Sequence, residues 1–469
     1  MHLMRLFALL LVLVPSLVQA QVGDGRLYVN RIVFLGTDQI DDHVLRRELL
    51  QLEGTHIDTA ALEQSRQRLE RLPYVERAQV AQVPVKGASD QVDLHITISE
   101  APAREYRVGG AFSESARLSG FGYLVNENVL GTGQRLFARV GGSEIRRAVQ
   151  VSHTDRYARL DGISRTTEFS SIHFDQLTAD TTELEGDSVR GSLEYGYRIA
   201  ERQSVRIGVG VQDTQLRTGA LASTQLEDWV SNNGDTDLSG SEPSTNTLIG
   251  EFLFGWHHDT RDREIFPSSG IEQRLGVKLA VPGSEIEHYT VKYELNKYWS
   301  LNRGWTVMNS TNLGFGAKYG SDTTLLAPNL NWFAGGPNSV RGYRENRLGP
   351  RDSLGNPYGG NLLVSNQLEL MVPLPEKWQR HTRIGFFYDV GNVFSTEDVS
   401  FLDDAGEELD YSFDFSELRH SAGISARILT PLGLLRLSYG IPLNAEDDHP
   451  NRFLRDDIER FQVSVGVSF

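Results

Sequence analysis

Arg341 is the side chain of this 469-residue sequence with the most chemistry to offer its surroundings. It stands in Trp332-Phe333-Ala334-Gly335-Gly336-Pro337-Asn338-Ser339-Val340-Arg341-Gly342-Tyr343, within a long connection at about 317–360. The glycines and proline suggest a sharply bent, defined path rather than a loose polar loop. A guanidinium is a permanently charged, planar fork of donors that suits carboxylates. Two carboxylates follow. Glu369 lies in Gln367-Leu368-Glu369-Leu370, and Asp389 in Phe387-Tyr388-Asp389-Val390-Gly391. Two further groups invite a catalytic or metal reading. His257-His258-Asp259 offers ligand types, but neighbours on a strand point to opposite faces, so a structural role is the reading. Gly186-Asp187-Ser188 looks like part of a serine hydrolase phrase, yet no partner histidine with supporting context is visible, and the serine opens a strand.

The elements that must position these residues are strands. In 270–281, Ile271, Leu275, Val277 and Leu279 oppose Glu272, Arg274 and Lys278. In 433–443, Leu435, Leu437, Tyr439 and Ile441 oppose Arg436 and Ser438. The last nine residues, Phe461 to Phe469, alternate the same way. Such polar faces are too charged for a sandwich core and suit a hydrated lumen, with lipid on the other side. A half-buried strand of a soluble sheet alternates too, so the number of such segments decides. From Arg104 onward about sixteen alternate, and an even number is what bacterial barrels use. Helical patterning is absent after about residue 100. By alternation, Ser365, Gln367 and Glu369 share one face and Arg383, Gly385 and Asp389 another, both directed to the lumen. The acidic run from Glu397 to Asp414 reads as a solvated loop.

Bulk properties fit an exported barrel. Residues 1–20 read as a signal peptide: Arg5, an apolar Leu6–Val14 core and a small-residue site at Val18-Gln19-Ala20. No later run approaches the ~18 apolar residues of a membrane helix. Hydrophobic residues are only 39%, but barrels escape such averages because half of each strand faces water. Cysteine is absent, which removes disulfides and thiolate metal sites. A net charge of -16 argues against nucleic acid as a partner.

Residues 25–101 have another texture. Strand, helix, helix, strand, strand is the order, with a first helix from Asp41 or Asp42 through Leu50 and a second from Asp58 or Thr59 to Pro73. Arg46-Arg47-Glu48-Leu49, Leu52-Glu53-Gly54 and Leu69-Glu70-Arg71-Leu72-Pro73-Tyr74-Val75 make this module resemble a POTRA domain, the periplasmic unit ahead of assembly barrels. A sheet with helices on one face leaves an edge strand able to pair with an extended polypeptide.

Val340-Arg341-Gly342-Tyr343 resembles the Val-Arg-Gly-Phe/Tyr motif of the BamA/TamA superfamily of outer-membrane assembly factors, also called the surface antigen family. Further likenesses are Asn128-Val129-Leu130-Gly131-Thr132-Gly133, Val281-Pro282-Gly283-Ser284 and Thr430-Pro431-Leu432-Gly433. The resemblance implies a mostly β fold: a 16-stranded antiparallel transmembrane barrel at 103–469 behind one POTRA domain. It implies a loop folded into the barrel, with Glu369 and Asp389 as lumenal partners of Arg341. It implies a weak barrel seam between the first strand, with Gly109 and Gly110, and the last, with Gly466 and Phe469; a glycine there permits an inward kink.

The expected function is assembly or insertion of client outer-membrane β-barrel proteins, without cofactor and without enzyme chemistry. Clients would pair with the POTRA edge strand and the seam. Outer-membrane lipids would surround the barrel, and a periplasmic lipoprotein is a further partner the resemblance allows. Relatives of the BamA kind carry several POTRA domains, whereas one is visible here. Two rival expectations are a translocation pore for a dedicated secreted partner and a structural surface antigen with no assembly role.

Overall fold

The computed structural model describes residues 27–466, except 114–116, 160–161, 176–183, 220–221, 240–241, 322 and 431–432. The signal-peptide expectation for residues 1–20, and Phe469 of the seam, therefore lie outside the described residues. The chain divides into two units, one ending at Pro102 and the other running from Ala103.

In the first unit, β1 (Tyr28–Leu35), α1 (Asp42–Arg46), α2 (Thr59–Glu70), β2 (Val75–Pro84) and β3 (Gln91–Glu100) follow in order. The sheet runs β1-β3-β2, with β1 parallel and β2 antiparallel to β3. Alternation explains the burial: Val92, Leu94, Ile96 and Ile98 are buried on β3, and they share the core with Val44, Leu45 and Leu69 of the helices. The Asp58 carboxylate caps α2 by accepting from the Ala60 and Ala61 amides at 2.9 and 3.3 Å. The first helix is shorter than its sequence suggests. After Arg46 the Glu48 and Leu49 amides bond back to Leu45 and Arg46. The Leu50 amide then turns to Ser65 Oγ at 2.8 Å, so tertiary contact with α2 ends the helix.

The two edges of this sheet are not equivalent. Alongside β1, the Val29 and Ile57 amides bond to Thr55 and Leu27, and the Gly54 amide to Val29, each at 2.9 Å. Glu53 Oε1 accepts from the Ile32 amide at 2.7 Å and from Arg46 at 3.0 Å. Arg46 also donates to the Ile32 carbonyl at 2.9 Å. On the outer edge of β2, only the Ala78 amide finds a partner among the described residues, Glu70 Oε1 at 3.2 Å.

Among the described residues of the second unit, sixteen antiparallel strands close into a barrel, from Arg104–Ser113 to Phe461–Val465. The wall alternates as its sequence does. Val108, Ile207, Phe252, Phe386 and Ile441 are exposed on the outer face, while Glu251, Glu272, His288, Glu369 and Asp389 are buried inside. One end has tight turns such as Glu201–Arg202, and the other carries the long connections. The tallest strands, Leu184–Ala200, Gln203–Thr218 and Ser244–Asp259, extend beyond their neighbours. Their ends bury Leu184, Leu216 and Ile249 under a roof of connecting loops.

That roof contains a helix where helical pattern was expected to be absent. α3 (Thr224–Asn232) buries Leu226, Trp229 and Val230. This spacing of one, four and five marks an apolar stripe, too short to register beside so many strands. The acidic run also departs from a solvated loop. Glu397 accepts from the Lys318 and Leu326 amides at 3.1 and 2.8 Å, and Asp404 is paired with Arg452 at 2.7 Å. These carboxylates hold neighbouring loops together.

The β1 edge has a measurable consequence. The Ile32 amide, then the Arg46 guanidinium, hold the Glu53 carboxyl below the ordinary glutamate range. A lowered value stabilises the fold above that range, and the stabilisation is lost as pH falls through the lowered value. Amide-exchange protection at Ile32 is expected to drop in acid and to lose that dependence in Glu53→Ala. Protection unchanged by both would show that the edge is held by other groups.

Candidate functional site

The connection between Lys318 and Leu362 turns back into the barrel. Three glycines shape it: Gly335, Gly336 and Gly342 all have φ between +90° and +99°. A Cβ on Gly335 would collide with the Arg344 carbonyl. Ser339 Oγ donates to the Gly335 carbonyl at 2.9 Å, and the Gly336 amide reaches the Val340 and Tyr343 carbonyls at 3.1 and 3.0 Å. The segment is thus a tight, self-bonded knuckle. Val340 and Tyr343 are both fully buried.

Arg341 projects from the tip of this knuckle. Its Nε and Nη2 donate to the two oxygens of Asp389, each at 2.7 Å, and its own amide adds a third bond to Asp389 at 3.0 Å. Nη1 donates to Glu369 Oε2 at 3.0 Å. The relative exposures are 4% for the Arg341 side chain, 1% for Glu369 and 0% for Asp389, so the clasp is dry where a hydrated lumen was expected. The wall strands Leu362–Met371 and Thr382–Phe394 are neighbours, with Gln367 opposite Asp389 and Glu369 opposite Phe387. That register brings both carboxylates under one guanidinium.

Four residues that complete the clasp were not given that role from the sequence. The Arg341 guanidinium lies 3.6 Å from the centroid of the Phe387 ring. A Cβ on Gly423 would meet that ring at 2.7 Å, so the glycine makes room for it. From the next strand, Arg419–Thr430, Arg427 Nη2 donates to Glu369 Oε2 and Ser425 Oγ to Oε1, both at 2.7 Å. The same two-residue alternation that placed Glu369 and Asp389 also carries Ser425 and Arg427; only the register between strands makes them neighbours.

Gly342 and Tyr343 bind the loop to the part of the wall next to the seam. They pair with Ile458 and Glu459, just before the last strand. Gln462 of that strand donates to the Tyr343 carbonyl at 2.6 Å. The Gly342 backbone lies directly on Gly440 of the penultimate strand: a Cβ on Gly440 would sit 2.8 Å from the Gly342 nitrogen.

The last strand pairs over Phe461–Val465 with Leu435–Tyr439, but among the described residues only Val465 pairs with the first strand, opposite Phe112. Gly466 follows with φ +81°, and a Cβ there would meet the Gly110 carbonyl at 2.6 Å. Gly109 has another reason to lack a side chain, since the Phe121 ring of the second strand lies across it.

The remaining candidates come together differently. His257, Asp259 and Glu272 converge, but Arg261 already bridges both carboxylates at 2.8 and 3.0 Å, and Arg274 also pairs with Glu272. His258 points elsewhere, toward Gln273 at 3.3 Å. Asp187 pairs with His173 at 2.9 Å, a contact invisible in the sequence, whereas Ser188 Oγ bonds to Thr214 at 3.0 Å. The serine thus has a hydroxyl for a partner, not a base.

The chain is similar to known proteins. Residues 128–469 match the Omp85 superfamily domain, and residues 27–101 match POTRA, the surface antigen variable number repeat. Outer membrane protein assembly factor BamA of Neisseria meningitidis serogroup B is 28% identical over 463 residues, covering 95% of this chain and 57% of that protein. The chain spans little more than half the length of the relatives it matches. BamA from Haemophilus ducreyi lacking POTRA domains 1–3 has a TM-score of 0.82 at 26% identity, over 95% of this chain and 85% of that one. CdiB from Acinetobacter baumannii shares the fold, with a TM-score of 0.56 at 13% identity, over 94% and 74% of the chains. The molecule is BamA-like: a bacterial outer-membrane barrel carrying a periplasmic POTRA domain. Since the family match runs through the infolded loop, both acidic strands and the strand that closes the wall, this chain belongs to the Omp85 superfamily.

Proposed function

We propose that this chain assembles outer-membrane β-barrel proteins at its own seam. One observation carries the reading. Among the described residues the first and last strands share a single backbone pair, Val465 with Phe112, where the last strand shares five with its other neighbour. Most of the first strand below Phe112 thus presents one edge with no described partner. At bilayer depth each unsatisfied backbone group costs several kcal/mol, so that edge favours an incoming strand. The open edge of β2 in the POTRA domain suits the capture of an extended client by strand addition. The clasped loop keeps the wall beside the seam in register while the seam opens. Nothing in this mechanism calls for a cofactor or a covalent step.

The native chain lacks cysteine, so an engineered pair has a clean background. Phe112→Cys with Val465→Cys, oxidised in liposomes, is expected to abolish insertion of an added client barrel, with recovery on reduction. A locked seam that still inserts clients sinks the proposal. It would point instead to a translocation pore working through the lumen, or to a structural antigen, whose depletion leaves other outer-membrane proteins at normal abundance.

The role proposed for Arg341 gives a second expectation. Arg341→Ala leaves Asp389 buried without a cation, a change that costs about 3–5 kcal/mol in a dry site. The folded barrel should lose heat-modifiability at lower temperature, and insertion should weaken. Arg341→Lys keeps the charge without the fork and should fall between. Normal heat-modifiability with full insertion in Arg341→Ala would refute the assignment.

A further inference from the structure

We infer that Arg436 receives a carboxylate carried by the strand that enters the seam; this rests on the assembly reading above. Arg436 lies on the penultimate strand, Gly433–Pro442, opposite Ser464 of the last strand on one side and Arg427 on the other. Three guanidiniums, of Arg341, Arg427 and Arg436, thus occupy one stretch of inner wall with two carboxylates, Glu369 and Asp389. Arg341 holds both acids, and Arg427 takes a share of Glu369. Among the described residues, Arg436 is the one of the three with no carboxylate partner. Its one described hydrogen bond goes to a neutral acceptor, Asn338 Oδ1 of the infolded loop, at 2.6 Å.

The cleft that Arg436 lines opens at the seam, between Ala111 and Phe112 of the first strand and Ser464 and Gly466 of the last, and no carboxylate among the described residues lines it. Ser464, opposite Arg436, is one residue from the single pair that joins the wall. The last strand lies between Arg436 and the seam, so an entering strand would lie about two strand spacings, roughly 9.6 Å, from the penultimate strand; the Arg436 side chain already lines a cleft that reaches Ala111 of the first strand. A half-buried guanidinium facing an amide gains a charge-assisted, two-pronged bond when a carboxylate arrives. The carboxylate can come from two sources: the terminal α-carboxylate of a client strand, or an acidic side chain on that strand's lumenal face.

The probe is a nine-residue peptide with the sequence of Phe461 to Phe469, itself a barrel strand, labelled at its amino end. Binding to the full chain in liposomes is read by fluorescence anisotropy. Three forms are compared: the free acid, the C-terminal amide, and an amide carrying Ser464→Glu. The wild-type chain is expected to bind the free acid about tenfold more tightly than the amide, the worth of roughly one charge-assisted bond. Arg436→Gln should erase the difference, and Arg436→Lys should keep part of it. If Ser464→Glu restores tight binding to the amide, a side chain serves as the source; if only the free acid binds tightly, the chain terminus does. Equal binding of all three forms to the wild type overturns the inference and leaves the seam reading standing. Binding of none of them overturns both. Should Arg436→Gln lose heat-modifiable folding, the comparison of forms on the wild type and Arg436→Lys decides alone.

Discussion

A guanidinium buried beside two carboxylates inside a barrel wall is the constraint on which the rest of this structure turns. An arginine cannot shed its charge, so in a dry interior it must be matched there or not enter. Asp389 supplies both oxygens and also accepts from the Arg341 backbone, which ties the knuckle itself, not only the side chain, to the wall. Phe387 closes the space beneath. Such a pair is weak evidence for net stability, because desolvation offsets much of its attraction. It is stronger evidence for one geometry: few other placements of the loop satisfy three buried charges.

The loop is therefore a strut. One end is held by the strands that carry Glu369, Asp389 and Ser425, and the other rests on the penultimate and last strands through Gly342, Tyr343 and Gln462. Two glycines, Gly342 and Gly440, allow backbone to lie on backbone where any side chain would intervene. Bracing of this kind has a physical purpose in a barrel with a weak junction. Among the described residues, fifteen junctions have ladders that hold them shut, and one rests on a single pair. The strand beside that junction stays aligned because something inside the barrel holds it.

Charge follows the same logic. On the inner wall the buried acids are matched by arginines, Asp389 and Glu369 by the loop's Arg341 and Glu272 by Arg261. Near the seam, Arg436 meets only a neutral acceptor among the described residues. A site that must meet another molecule is where an unmatched group would be tolerated.

The two-residue alternation was enough, in the sequence, to count the wall strands and to say which face of each meets lipid. Local sterics dictate that property, and every strand repeats it. The βααββ module was legible for the same reason, and so was the bend of a loop with glycines at its turning points. What depends on register was not legible. Ser425 and Arg427 meet Glu369, and His173 meets Asp187, only because particular residues of neighbouring strands lie opposite one another. The length of the first helix depended on Ser65, and the fate of Glu397 on the amides of another loop. By itself the sequence determined how each segment is built and which way its side chains point, because those choices are settled within a few residues. Tertiary structure decided which side chains share a site, how dry that site is and how few pairs close the wall, because each is set by the relative placement of segments far apart in the chain.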